Sequence, residues 1–129
     1  MQATPESHKF LLEEKSRAYA FLATSMTDGS PQVTPVWFST DGEYLLINSN
    51  QGRVKDRNMR ARPKVAIVIM ALDDPYNYLQ IRGEVIDITT EGGDDHINQL
   101  SRKYSGEDYD IPTDHIRTIY KIKPTSIST

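Results

Sequence analysis

The chain has 129 residues, 37% of them hydrophobic and 26% charged, with a formal net charge of −3 and no cysteine. That length fits one domain, residues 1–129, with a core of its own, and the acidic balance argues against general nucleic-acid binding. The lack of cysteine excludes disulfides, thiolate nucleophiles, iron–sulfur clusters and cysteine-based zinc sites, and fits a cytoplasmic protein. No basic stretch followed by an apolar one opens the chain, so no secretory leader is expected. No apolar run approaches the ~20 residues of a membrane span. The modest hydrophobic fraction leaves room for apolar surface that a partner chain completes.

Thr4 is placed to cap a first helix with Pro5 at its first position, running to Lys15 with a thin apolar stripe at Phe10 and Leu11. Residues 18–25 are almost continuously apolar, as in a strand covered on both faces. Asp28-Gly29 then signals a hairpin. Residues 32–39 return as a strand interrupted by Pro35, which cannot donate to a ladder, so an edge, bulge or break is expected there. Asp41-Gly42 turns the chain again, and residues 43–48 form the third strand. Lys64 to Ala71 is the most apolar strand. Asp73-Asp74-Pro75 reads as a loop. Residues 77–88 alternate well, with Gly83 marking a bend or bulge. Gly92-Gly93 ends that strand, and Asp94 or Asp95 is placed to cap a helix carrying Ile97, Leu100 and Tyr104. Residues 116–122 are the last strand, closed by Pro124. Six mostly antiparallel strands with bent members and peripheral helices fit a mainly-β fold, a small barrel rather than a flat sheet, because closure removes exposed edges.

One segment breaks the charge pattern. Residues 52–63 hold Arg53, Lys55, Arg57, Arg60 and Arg62 against a single carboxylate, Asp56, a net of +4 in an acidic chain. It reads as a short helix that starts after Gly52 and is stopped by Pro63. A charge run is often only a solvated face, and Arg53, Arg57 and Arg60 fall at spacings that share one. Against that, a polar Ser49-Asn50-Gln51 stretch leads from a strand straight into the helix. Strand, polar entry and basic helix together describe an anion pocket. Trp37 carries two readings: a core or interface aromatic, or, with Pro35 and Val36, the lining of a flat ligand.

Other chemistry is thin. His8, His96 and His115 lie far apart with no ligand spacing and read as exposed or locally bonded. No metal site is expected, since Asp108 and Asp110 lack the glycine and distal glutamate of a calcium loop. There is no Gly-x-Ser-x-Gly elbow, Walker loop or Gly-x-Gly-x-x-Gly turn.

The residues Ala23-Thr24, Asp28-Gly29-x-Pro31-x-Val33-x-Pro35-Val36-Trp37-Phe38 and Gly52-Arg53-x-Lys55-x-Arg57-Asn58-Met59-Arg60-x-x-Pro63-Lys64-Val65 resemble the pyridoxamine-5′-phosphate-oxidase-like split-barrel superfamily. Within it they are most similar to the deazaflavin (coenzyme F420)-dependent branch, as are Pro75-Tyr76-x-Tyr78, Arg82-Gly83-Glu84-Val85 and Lys103-Tyr104. The resemblance implies a six-stranded antiparallel split β-barrel of the FMN-binding type. It implies a homodimer with cofactor sites at the interface. It places the cofactor phosphate at Lys55, with Arg53, Arg57 and Asn58 beside it and Ser49 and Asn50 near. It runs Pro35, Val36 and Trp37 along the ring system and brings Asn77 and Tyr78, with Tyr76, from the other protomer. The implied activity is hydride transfer from reduced coenzyme F420 to a small conjugated or heterocyclic molecule. The alternatives are an FMN-dependent oxidase and a non-catalytic flavin-binding protein. No catalytic residue is assigned.

Overall fold

A computed structural model describes Met1 and residues 3–129 of the chain. Its strands are β1 (Tyr19–Ser25), β2 (Pro31–Val36), β3 (Phe38–Thr40), β4 (Leu45–Asn50), β5 (Lys64–Ala71), β6 (Asp74–Thr89) and β7 (Arg117–Ser128), and its helices are α1 (Val54–Ala61) and α2 (Gly93–Ser105). The strands form one antiparallel sheet in the order β2-β1-β5-β6-β7-β4-β3. The two edge strands, β2 and β3, are consecutive in the chain and separated only by Trp37. A sheet whose opposite edges are joined by one residue has to curl until those edges meet. The fold is thus a mainly-β split barrel, as the resemblance implied.

Seven strands stand where six were expected, because residues 32–39 make two. The break falls at Trp37, not at Pro35. Pro35 lies within β2, an edge strand, where a missing N–H costs no ladder bond on the open side. The interior is one cluster that includes Leu22, Phe38, Leu45, Ile47, Ile67, Ile69, Leu79, Ile81 and Tyr120, all close to fully buried.

Several local expectations are corrected. The N-terminal segment is two short 3-10 helices, Glu6–Leu12 and Glu14–Ser16, with Pro5 rather than Thr4 at the cap and no side-chain cap bond. The apolar stripe there is too thin to stabilise a full α-helix. Asp74 and Pro75 belong to the start of β6 instead of a loop. β4 extends through Ser49 and Asn50, which are therefore strand residues and not part of an entry loop. β7 continues past Pro124 to Ser128. A proline is tolerated there because the register with β6 is already irregular: Arg82 pairs with Ser126 and Gly83 with Pro124. That irregularity is the bend expected at Gly83. A side chain at Gly83 would come within 2.8 Å of the Lys123 carbonyl, so only glycine lets β7 pass this closely. Helix α2 is preceded by Gly92, and neither Asp94 nor Asp95 caps it.

The outer surface of β2, β1 and β5 is apolar. Across it run the rows Val33–Ala23–Ala66, Pro35–Phe21–Val68 and Tyr19–Met70–Tyr78. Val33 is 64% exposed, and none of the other eight is fully buried. The inner positions of the same strands are buried. β1 is thus apolar on both faces, as expected, but within one chain only its inner face is covered.

Candidate functional site

β4 delivers Asn48 and Ser49 to one end of the sheet, and the chain then turns through Gly52 into α1. Near this corner lies an open hollow of ≈ 250 Å³ lined by Tyr19, Pro35, Val36, Trp37, Asn48, Ser49, Arg53, Lys55, Ile97, Tyr109 and Arg117. Larger hollows exist, of ≈ 590 Å³ beside the β3–β4 turn, ≈ 520 Å³ on the outer face of β5 and β6 and ≈ 390 Å³ beside the start of α2. The first two gather no buried cation, and the third shares Arg117 but is lined by Asp94 and Asp95 instead of Arg53 and Lys55. Among the described residues, no group of His, Asp or Glu could hold a metal ion.

The basic segment divides in two. Three of its five cations are bound by the fold. Arg57 donates to the Gly52 carbonyl (2.5 Å), and Arg60 pairs with Asp56 (2.9 Å). Arg62 donates to the Ser25 carbonyl (2.7 Å) and to Asn58 Oδ1 (3.1 Å). Asp56 is the hub: it is buried and accepts from the Gly52 N–H (2.9 Å), Arg60 and the Tyr120 hydroxyl (2.5 Å). Burial raises its pKa most strongly. The bonds from Tyr120, Gly52 and Arg60 together outweigh that and leave the carboxyl below its ordinary value. Asp56 thus fastens the turn ahead of α1 through the Gly52 N–H, one residue before the cap position at Arg53.

Arg53 and Lys55 are the two cations of the segment that line the hollow. Among the described residues, Lys55 Nζ donates only to Thr34 Oγ1 (3.3 Å). Its pKa is lowered, first by burial and then by Arg53 and Arg117. Arg117 comes from the start of β7 and is buried. It donates from Nε to Asn48 Oδ1 (2.9 Å), meets His115 Nδ1 at 3.2 Å and lies over the Tyr109 ring at 5.3 Å. Burial lowers its pKa too, and Arg53 pushes the same way. Three like charges in one hollow repel, and an anion among them relieves both repulsion and desolvation. The buried Ser49 hydroxyl has no hydrogen-bond partner among the described residues. An orphaned hydroxyl beside three cations is a donor held for something absent.

Of the residues picked out in sequence, Pro35, Val36, Trp37, Ser49, Arg53 and Lys55 meet in this hollow. Trp37 stacks on Tyr104, with ring centroids 5.3 Å apart and planes 9° apart, and Tyr104 donates to the Ala18 carbonyl (2.6 Å). Asn50, Arg57 and Asn58 do not line it. Asn50 Oδ1 accepts from the Ile116 N–H (2.8 Å), tying β4 to the start of β7. Asn58 is buried against β1, bonded to Thr24 Oγ1 (3.0 Å) and to Met26 Sδ (3.3 Å). Asn77 and Tyr78 lie on the first part of β6, away from the hollow, where Asn77 bonds to Asp74 and Tyr76 is 91% exposed. Sequence reasoning missed Asn48, Tyr109 and Arg117. No local signal marks them: the pairing of β4 with β7 brings Asn48 and Arg117 together, and Tyr109, in the loop after α2, is held by its N–H to Asn98 Oδ1 (2.8 Å).

His96 also departs from expectation. It is 6% exposed, and its partners are distant in the chain: Ser39 Oγ at Nε2 (2.9 Å) and Asn48 Nδ2 at Nδ1 (3.2 Å). Burial, and secondarily Arg117, lower its pKa to about 4. An unfolded histidine titrates near ~6.5, so between pH ~6.5 and 4 the unfolded chain binds the proton and the folded one does not. Stability is therefore full above ~6.5 and falls as pH drops toward 4, by up to about 3 kcal/mol. Urea denaturation at pH 7.5 and 4.5 should show this loss in the unmodified protein and a smaller one in His96→Asn.

No curated protein matches the chain. Among solved structures, one described as an F420 reductase shares 37% identity, covers 97% of this chain and 98% of its own, and superposes with a TM-score of 0.86. A putative pyridoxamine 5'-phosphate oxidase from Listeria innocua shares 22% identity over 95% of this chain and 94% of its own, with a TM-score of 0.70. A putative 5-nitroimidazole antibiotic resistance protein from Bacteroides thetaiotaomicron shares 15% over 97% and 82%, with a TM-score of 0.66. The latter two show likeness of fold alone. The pyridoxamine 5'-phosphate oxidase family model matches residues 4–129, nearly the whole chain, and the protein belongs to that family.

Proposed function

We propose that the protein is a coenzyme F420-dependent oxidoreductase that works as a homodimer on a small conjugated or heterocyclic substrate. The observation that carries this reading is the convergence of Arg53, Lys55 and Arg117 around the unpartnered Ser49 hydroxyl. Those groups suit a phosphate: two guanidinium forks, an ammonium and a hydroxyl donor. The 37% identity to an F420 reductase favours the deazaflavin as the molecule that carries it.

In this reading Ser49, Arg53, Lys55 and Arg117 hold the phosphate. Pro35, Val36 and Trp37 run along the ring system, and Trp37 is kept flat by its stack on Tyr104. Arg57, Asn58 and Asn50 act indirectly, since their side chains hold α1 and the start of β7 in place. When bound, the reduced deazaflavin supplies a hydride, so the chain need only orient the ring against the acceptor and exclude water. No protein nucleophile is required. Tyr104 is a poor proton donor, because burial raises its pKa and its proton is already given to Ala18.

The hollow, of ≈ 250 Å³, is smaller than the roughly 300–1,000 Å³ of a complete small-molecule pocket, which suits a site that a second chain closes. The apolar rows on β2, β1 and β5 supply the surface, and Tyr19 and Pro35 belong both to that surface and to the hollow. Pairing two copies there would let Tyr76, Asn77 and Tyr78 of one protomer approach the site of the other, as the resemblance implies. Among the described residues, no helix is long and apolar enough to cross a membrane.

The second reading, favoured by the family model, is an FMN-dependent oxidase using the same phosphate site. A fluorescence and absorbance titration with coenzyme F420, FMN and FAD separates the two. Saturable F420 binding with weak FMN binding supports the first. Retention of FMN with no affinity for F420 overturns it.

A further inference from the structure

Arg117 reaches the hollow without a carboxylate to aim it. Among the described residues no Asp or Glu pairs with it. Its Nε is held by Asn48, whose Oδ1 accepts at 2.9 Å, while Nη1 meets His115 Nδ1 at 3.2 Å. Asn48 is itself buried and fully engaged: its amide nitrogen donates to the Gly93 carbonyl (2.9 Å) and to His96 Nδ1 (3.2 Å).

These contacts settle the polarity of the chain. An arginine Nε can only donate and a backbone carbonyl can only accept, so the oxygen of Asn48 faces Arg117 and its nitrogen faces Gly93 and His96. His96 Nδ1 must then accept, Nε2 carries the proton, and that proton goes to Ser39 Oγ, 2.9 Å away. The fold enforces the arrangement. A Cβ on Gly93 would sit 2.0 Å from the Arg117 carbonyl, so α2 begins directly on β7 and sets His96, within its first turn, over Asn48.

A neutral aimer has a consequence for the site. A carboxylate at position 48 would neutralise Arg117, whereas an amide holds it and leaves its charge for an anion. The amide in turn needs an acceptor for its second N–H, since a buried unsatisfied donor is costly.

We propose that His96 is a positioning residue for the anion pocket: through Asn48 it fixes the Arg117 guanidinium alongside Arg53 and Lys55. This rests on the reading that the hollow takes the cofactor phosphate. The test is a fluorescence titration of oxidised coenzyme F420 into the unmodified protein and the His96→Leu, His96→Asn and Lys55→Ala variants, each with a thermal melt. His96→Leu removes the acceptor and should weaken binding about 3–10-fold. His96→Asn restores an acceptor near the Nδ1 position and should bind within about twofold of the unmodified protein. A merely space-filling histidine would not show that rescue. Unchanged affinity in a cooperatively folded His96→Leu overturns the inference, and so do equal losses in both His96 variants. If His96→Leu does not fold, His96→Gln, whose amide reaches the Nε2 position next to Ser39 and not the Nδ1 position next to Asn48, keeps a polar side chain there while removing the acceptor: weakened binding supports the inference and unchanged binding overturns it. A Lys55→Ala variant that binds like the unmodified protein overturns the phosphate reading itself, whereas loss in Lys55→Ala with none in His96→Leu overturns only the positioning role.

Discussion

Replacing Asp56 with alanine is expected to cost about 3–5 kcal/mol of folding stability, the range for breaking a buried charged network by removing one partner. The carboxylate gathers the Gly52 N–H, Arg60 and the Tyr120 hydroxyl. Alanine would leave a fully buried phenol and a backbone N–H without acceptors. Asp56→Asn keeps the shape but not the charge, so it should lose less. Chemical denaturation of both variants checks this, and a loss below 1 kcal/mol for Asp56→Ala would show that the network is compensated. The acid sensitivity of this group also has a definite sign. Its folded pKa is lowered, so its contribution is complete above the ordinary carboxylate value and disappears as pH falls through the lower folded one. That window lies below the one assigned to His96.

The second large effect is on binding. Lys55→Ala and Arg117→Ala should each weaken cofactor affinity by about 1.5–3 kcal/mol, the worth of a hydrogen bond to a charged group. The double variant should lose less than the sum. Arg53 and Arg117 depress the pKa of Lys55 by repulsion, so removing Arg117 relieves Lys55. Arg60→Ala is the informative contrast. Arg60 is equally cationic and only a few residues away, but its charge is spent on Asp56, and its loss should register in stability rather than in affinity. Calorimetric titration across the four variants measures this. Equal binding losses for Arg60 and Lys55 would mean that the segment acts as a diffuse positive field and not through a pocket.

That contrast also shows what could be read from the chain alone. The two Asp-Gly turns, the apolar strand from Lys64 to Ala71 and the bend at Gly83 are local features. Each was legible because its cause lies within a few residues. Lys55 was legible because a strand feeding a basic helix is itself a local signature. The Asp56–Arg60 pair is local too, four residues apart on one helix, whereas the fate of Arg62 was not legible, since its acceptor is the Ser25 carbonyl at the end of β1. Arg117 was silent for the same reason. Nothing near it in sequence is unusual, and its place in the hollow depends on β7 pairing with β4. Trp37 was legible as an aromatic of note, but its position between the two edges of the sheet was not. An alternating strand pattern does not reveal where the strand crosses from one sheet edge to the other. His96 sits on the inner side of a helix whose outer side is polar, and sequence could not tell a buried, bonded imidazole from an exposed one.

The most direct measurement is a crystal structure of the protein with bound coenzyme F420. The phosphate is expected within hydrogen-bonding distance of Lys55 Nζ and the Ser49 hydroxyl, flanked by Arg53 and Arg117, with Asn48 still between Arg117 and His96. A cofactor whose phosphate lies elsewhere, with Arg53, Lys55 and Arg117 free of anionic contact, would contradict this placement.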